Sequence, residues 1–292
     1  MVASPHFKFV ADLAGAFNNG EIALPSFPDI VVRIRKTLEK EDVYIDQVTH
    51  VVNTDPVLVS RLLLFANSSA YNPSGNRIET VEVAISRLGF ELVKNTAVSL
   101  AVRQMFLAEQ HKDIAPVLRS IWQNSTQLAA MCAAVVDGRR VFKEETAFLC
   151  GLLHFVGKLY IITRAKNYPE FKGNSQALQD IMDGWYPKVG GCIVESWDFP
   201  EEIAQTLDTE EHQTAYTSKA PTLVDVVVVA KLLLKHVSRA SKAGVDPALT
   251  ECDFVADDEP AMARLGIHEN ELPQLYLVFQ EKLTAVREAL TA

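Results

Sequence analysis

Apolar residues recur at three- and four-residue intervals along most of this chain, and the polar breaks between the stripes carry helix caps. Ser4 and Pro5 open a first helix with Phe7, Val10, Leu13, Ala14 and Phe17 on one face, closed by Gly20. Leu24 to Pro28 reads as an extended approach to a second helix through Ile30, Val31, Ile34 and Leu38, followed by a short one through Ile45, Val48, Val51 and Val52. Asp55 and Pro56 are an N-cap and first-turn pair for a helix ending at Ala66 and Asn67. Turn formers fill Ser68 to Asn76, Thr80 caps a helix that stops at Gly89, and Phe90 to Met105 supplies another long stripe. Asp113 and Pro116 interrupt the pattern and divide the chain into helical subdomains at 1–112 and 113–292.

In the second half, helices are expected over Ile121 to Val136, from Glu144 onward, over Asn174 to Phe199, after Pro200, over 222–240 and over Glu271 to Leu290. Gly184, Gly190 and Gly191 mark close approaches or breaks. Val226 to Val229 is apolar enough for a strand, but it has no partner strand and its flanks extend it past strand length. The fold class is therefore all-α.

The run Leu149 to Ile162 is almost continuously apolar around one histidine, and Leu152, Phe155 and Leu159 at helical spacing predict a single helix buried on most sides. His154 then points into protein. It reads either as a neutral core imidazole or as a metal ligand, and the second role needs further N or O donors to converge on it.

Composition narrows the functional classes. With 37 acidic against 28 basic residues the net charge is −9, which opposes attraction to nucleic-acid phosphates and to anionic membranes. Arg33, Arg35 and Lys36 therefore read as a solvated helix face. The cysteines Cys132, Cys150, Cys192 and Cys252 are widely spaced without a CxxC, which fits reduced thiols in the cytoplasm. The N-terminus lacks an uninterrupted apolar core of the signal-peptide kind, and no run is read as crossing a membrane.

Three segments resemble the HDOD family, the HD-related output domains of bacterial signalling proteins. The family's LPSLPEVV appears as Leu24 to Val31, its SDPALTARLLRLANSAFY as Thr54 to Tyr71, and its TSLEEAIVLLGLDTLRNLAL as Thr80 to Leu100. The GLLHDIGK helix of the wider HD phosphohydrolase superfamily is matched by Gly151 to His154, Gly157 and Lys158. The resemblance covers roughly Leu24 to Lys235 and implies an all-α fold of HD type in two packed subdomains.

Residue by residue it speaks against the superfamily's metal chemistry. Phe155 stands for the aspartate of the HD pair, Asn124 for the first ligating histidine, Tyr186 for another histidine and Lys231 for the last aspartate, with Asp225 an alternative counterpart. These positions define a vestigial site of Asn124, His154, Phe155 and Lys231, with no catalytic residues, no metal and no cofactor expected. The expected function is a non-catalytic signalling or regulatory module with a protein partner. The alternative is a metal-dependent phosphohydrolase whose divalent ion is held by His154, His212, Glu211 and Asp225.

No GxSxG, glycine-rich phosphate loop or HExxH is present. Trp122, Trp185 and Trp197 lie in apolar helical patterns and read as core. Ser68, Ser69, Tyr71 and Asn72, in a polar loop held between two capped helices, are the candidate partner-binding residues, with a structural turn as the bland reading. The partner and the oligomeric state are not encoded in any motif.

Overall fold

The computed structural model describes residues 9, 11, 12, 15, 28–68, 71–168, 171, 175–208, 220–247 and 259–291. Ser4, Gly20, the 24–27 stretch, Ser69, Cys252, Glu211 and His212 lie outside them. The described residues contain helices and no strand. In order they are α1 (Asp29–Leu38), α2 (Ile45–Val52), α3 (Pro56–Ala66), α4 (Val81–Leu88), α5 (Phe90–Phe106), α6 (Ala115–Val136), α7 (Glu144–Leu153) and α8 (Val156–Ala165). They continue with α9 (Ser175–Ser196), α10 (Glu201–Ala204), α11 (Leu223–Ala243), α12 (Pro260–Leu265) and α13 (Leu272–Thr291). Short 3₁₀ turns at Glu109–Ile114, Gln205–Leu207 and Glu269–Glu271 join them.

Local chemistry sets the helix ends. The Asp55 carboxylate accepts from the Val57 and Leu58 amides, with Pro56 at the first helical position. Thr80 caps α4 through the Val83 amide, and α4 stops at Gly89, whose φ of 79° a residue with a Cβ rarely adopts. Asn67 ends α3 and clamps the chain after the loop: its side chain donates to the Leu63 and Ile78 carbonyls and accepts from the Ile78 amide. Pro116 falls in the first turn of α6, where its missing N–H costs nothing, so it initiates that helix.

The long helix α6 is the axis of the second half, and every residue from Leu128 to Val136 is buried. Its alanines let neighbours come close. A Cβ on Gly151 of α7 would sit 2.5 Å from the Ala129 amide nitrogen, so glycine is required at that crossing. α7, α11 and α13 pack around α6, while α1 to α5 form a second group joined to it mainly through α5. The two groups share one continuous apolar core.

Three expectations change. The run 149–162 is two helices, broken at His154 and Phe155, and just after the break Gly157 runs against the Tyr186 carbonyl and lies close to the Gly190 amide of α9. α9 passes unbroken through Gly184, Pro187, Gly190 and Gly191; Gly190 is a close approach to Leu207, and none of them ends the helix. Arg35 is no solvated side chain. It donates to the Trp197 carbonyl and to the Asp198 carbonyl and carboxylate, at 2.6 and 3.0 Å, tying α1 to the turn after α9. Of the N-terminal segment, Phe9 is buried and packs edge-on against Tyr168 and Phe171, at 4.9 and 5.3 Å between ring centroids. One run, Glu144–Ala165, is long and apolar enough to cross a membrane by length and composition; 72% of its most apolar window is buried in this core.

Candidate functional site

His154 is the C-cap of α7, and the break after it turns its ring inward to 0% exposure. Its Nδ1 lies 3.1 Å from the Thr206 carbonyl oxygen, which can only accept, so Nδ1 carries the proton. Nε2 is then an acceptor, and it faces the Tyr186 hydroxyl at a long 3.4 Å. Burial pushes the imidazole pKa down to about 3, helped by the positive charges of Lys231 and Lys158 and opposed by the bond to Thr206. The ring is a neutral, doubly engaged core group.

Above it lies a cap of aromatic rings. Phe155 meets the imidazole edge-on at 4.9 Å and Tyr186 at 5.7 Å, and the two rings are 5.8 Å apart. Lys158 lies over both, its Nζ 4.7 Å from the Tyr186 centroid and 5.5 Å from that of Phe155, and the ammonium is anchored to Asp183 at 2.7 Å. Helices α8 and α9, locked together at Gly157, bring the four groups together.

Among the described residues the remaining positions do not complete a metal site. Asp225 is buried, but it is the third residue of α11 in a capping box with Thr222, and Arg264 of α12 grips its carboxylate at 2.5 to 3.1 Å. Lys231 lies farther along α11, half-buried. Asn124 is exposed on α6 while His154 is enclosed. Glu211 and His212 are outside the described residues, and no group of three His, Cys, Asp or Glu residues converges among the described ones. A divalent ion needs unprotonated N or O donors sharing one open point. The arrangement here offers an occupied imidazole, a phenyl ring, a phenol and an ammonium, and does not fit one. Burial also raises the thiols of Cys132 and Cys150, the latter to about 12, which keeps these two protonated.

The candidate partner loop is more tightly built than its sequence suggests. Asn72 is buried, donating to the Asn76 carbonyl and accepting from Arg87 and Ser74, so it is a structural knot and not an accessible contact. Ser68 donates to the Phe65 carbonyl, and Tyr71 is half-buried against the core. Exposed groups beside this loop are Leu64, Arg77 and Glu79.

Sequence reasoning missed Thr206 and Asp183, 52 and 25 residues from the groups they hold, and no local pattern marks either. It also missed the duty of Asp225, although Thr222-x-x-Asp225 ahead of an apolar run is a legible capping signature.

The described residues form an all-helical fold around one enclosed histidine. The chain belongs to the HDOD domain family, whose pattern it matches over residues 24–213. A candidate metal-dependent phosphohydrolase from Shewanella amazonensis SB2B superposes with a TM-score of 0.76 at 19% identity, over 98% of this chain and 99% of that one. An HDOD domain protein with unknown function from Geobacter sulfurreducens gives 0.65 at 22% identity, over 96% and 98%. A candidate signal transduction protein from Marinobacter aquaeolei VT8 gives 0.63 at 21%, over 100% and 67%. At such identities the likeness is one of fold. An uncharacterized Treponema pallidum protein is 20% identical over 242 residues, and the match spans 78% of this chain but 44% of that protein's length.

Proposed function

We propose that this HDOD protein is a non-catalytic signalling module that works in the bacterial cytoplasm by binding another protein. The observation that supports this most is the aromatic cap on His154, in which Phe155 and Tyr186 stand at positions where the HD pattern has an aspartate and a histidine. In this reading the His154 pocket holds no metal to polarise a phosphoester or activate water, and the module does not hydrolyse. The partner-facing edge in this reading is the outer side of α3 with the loop after it. There Leu64 is 44% exposed beside a backbone pinned by Asn67 and Asn72, so binding orders little that is not already ordered.

Two assays test it. Purified protein with Mn²⁺, Mg²⁺, Fe²⁺ or Ni²⁺ is expected to hydrolyse neither bis-p-nitrophenyl phosphate nor a cyclic dinucleotide above the metal-only rate; turnover that disappears in His154→Gln would overturn the reading. Cross-linking in the native cell is expected to join residues 64–79 to one protein, and loss of that product in Leu64→Asp supports the edge. Cross-links spread evenly over the surface contradict it.

A further inference from the structure

A cavity of about 370 Å³ lies at the opposite end of α7 from His154, separated from it by the helix length of about 15 Å. This volume falls in the range of small-molecule sites, roughly 300–1,000 Å³. α5, the end of α6, the start of α7 and α13 form its walls, and Phe65 and Tyr71 close it. The fourth wall, α13, lies beyond the residues that match the family, so the enclosure depends on this chain's own C-terminal helix.

The lining has a consistent chemistry. Phe65, Leu92 and Phe148 present apolar surface. Between them is Asn95, 3% exposed, whose side-chain oxygen has no hydrogen-bond partner. An orphaned buried acceptor in a cavity of this size is a request for a donor. Its neighbours Thr96 and Ser99 spend their protons on the Leu92 and Asn95 carbonyls and so also offer lone pairs. At the mouth, Lys282 is already paired with Glu144 at 2.8 Å and Asp137 at 3.1 Å. Glu145 and Glu281 have no ion pair among the described residues.

We propose that this cavity binds an amphipathic organic cation: an apolar body against Phe65, Leu92 and Phe148, an N–H donated to Asn95, and positive charge balanced by Glu145 and Glu281. Anionic nucleotides are disfavoured by the same carboxylates, because Lys282, the cation among the described lining residues, is committed to Asp137 and Glu144. The site is separate from the His154 cluster and does not rest on the signalling reading.

The test is calorimetric titration of the full chain with 4-phenylbutylamine, alongside its uncharged and anionic counterparts 4-phenylbutanol and 4-phenylbutyrate. The amine is expected to bind one to one with a Kd on the order of 0.1–1 mM, typical of a ligand this small. The alcohol is expected to bind about tenfold more weakly, the loss of one charge interaction. The butyrate is expected not to bind. Ala285→Phe, which fills the cavity from α13, is expected to abolish binding, and the surface pair Glu145→Gln with Glu281→Gln to weaken the amine without altering the melting profile. Equal affinity for amine and butyrate, amine binding unchanged in Ala285→Phe with a native spectrum, or no saturable amine binding at all, as in a cavity that holds only water, would each overturn the proposal.

Discussion

Acidification should destabilise this protein through His154, by an amount the pocket allows to be worked out. The folded imidazole titrates near 3, whereas in the unfolded chain it returns to about 6.5. Below 6.5 the unfolded chain takes up a proton that the folded one refuses. The contribution is therefore complete above the unfolded pKa and is lost as pH falls toward the folded one. Each pH unit below 6.5 costs about 1.4 kcal/mol, so a fall from pH 7 to pH 5 removes about 2 kcal/mol. Other groups titrate over the same interval, and His154→Gln isolates the term, since glutamine can donate to Thr206 and accept from Tyr186 but carries no proton equilibrium. Urea midpoints at pH 7, 6 and 5 for both proteins give the difference directly. Wild type should lose about 2 kcal/mol more than the variant between pH 7 and pH 5. Parallel stability curves for the two proteins would refute the enclosed neutral histidine.

Other expectations follow from particular contacts. Gly157→Ala should cost about 3 kcal/mol, because the new methyl meets the Tyr186 backbone carbonyl, whereas Gly184→Ala on the exposed face of the same α9 should gain about 0.5–1 kcal/mol; paired thermal melts compare them. Arg264→Met leaves the Asp225 carboxylate buried without its ion-pair partner and should cost about 3–5 kcal/mol in urea unfolding at pH 7. Arg35→Ala should cost about 1–2 kcal/mol and speed amide exchange in the turn after α9, where Asp198 holds a φ of 59°.

What could be read in advance follows the range of the interactions. Asp55 with Pro56, Thr80 with Gly89, and the stripes of α5, α6 and α13 are set by neighbours within a turn or two, and each was legible. The break at His154 was not, because the run around it is apolar throughout, and the close approach of Gly157 to α9 involves residues some 30 positions on. The same distinction governs the site. That Phe155 and Lys231 cannot ligate a metal is written in their side chains. That Tyr186 and Lys158 close over the vacated place, with Asp183 as anchor, depends on the packing of two helices. Arg35 looked solvated because it sits in a basic cluster of an acidic chain; its partners lie 162 and 163 residues away. Asn72 looked like an open loop residue for the same reason, since turn composition does not reveal which side chain a loop folds around.

The metal-free state proposed for the enclosed His154 pocket has a direct test. Titration of the chelator-treated protein with Mn²⁺ at pH 7.5, followed by calorimetry, tests it most directly. The account predicts no saturable one-to-one binding and an unchanged melting temperature. A micromolar Kd that vanishes in His154→Gln would contradict it.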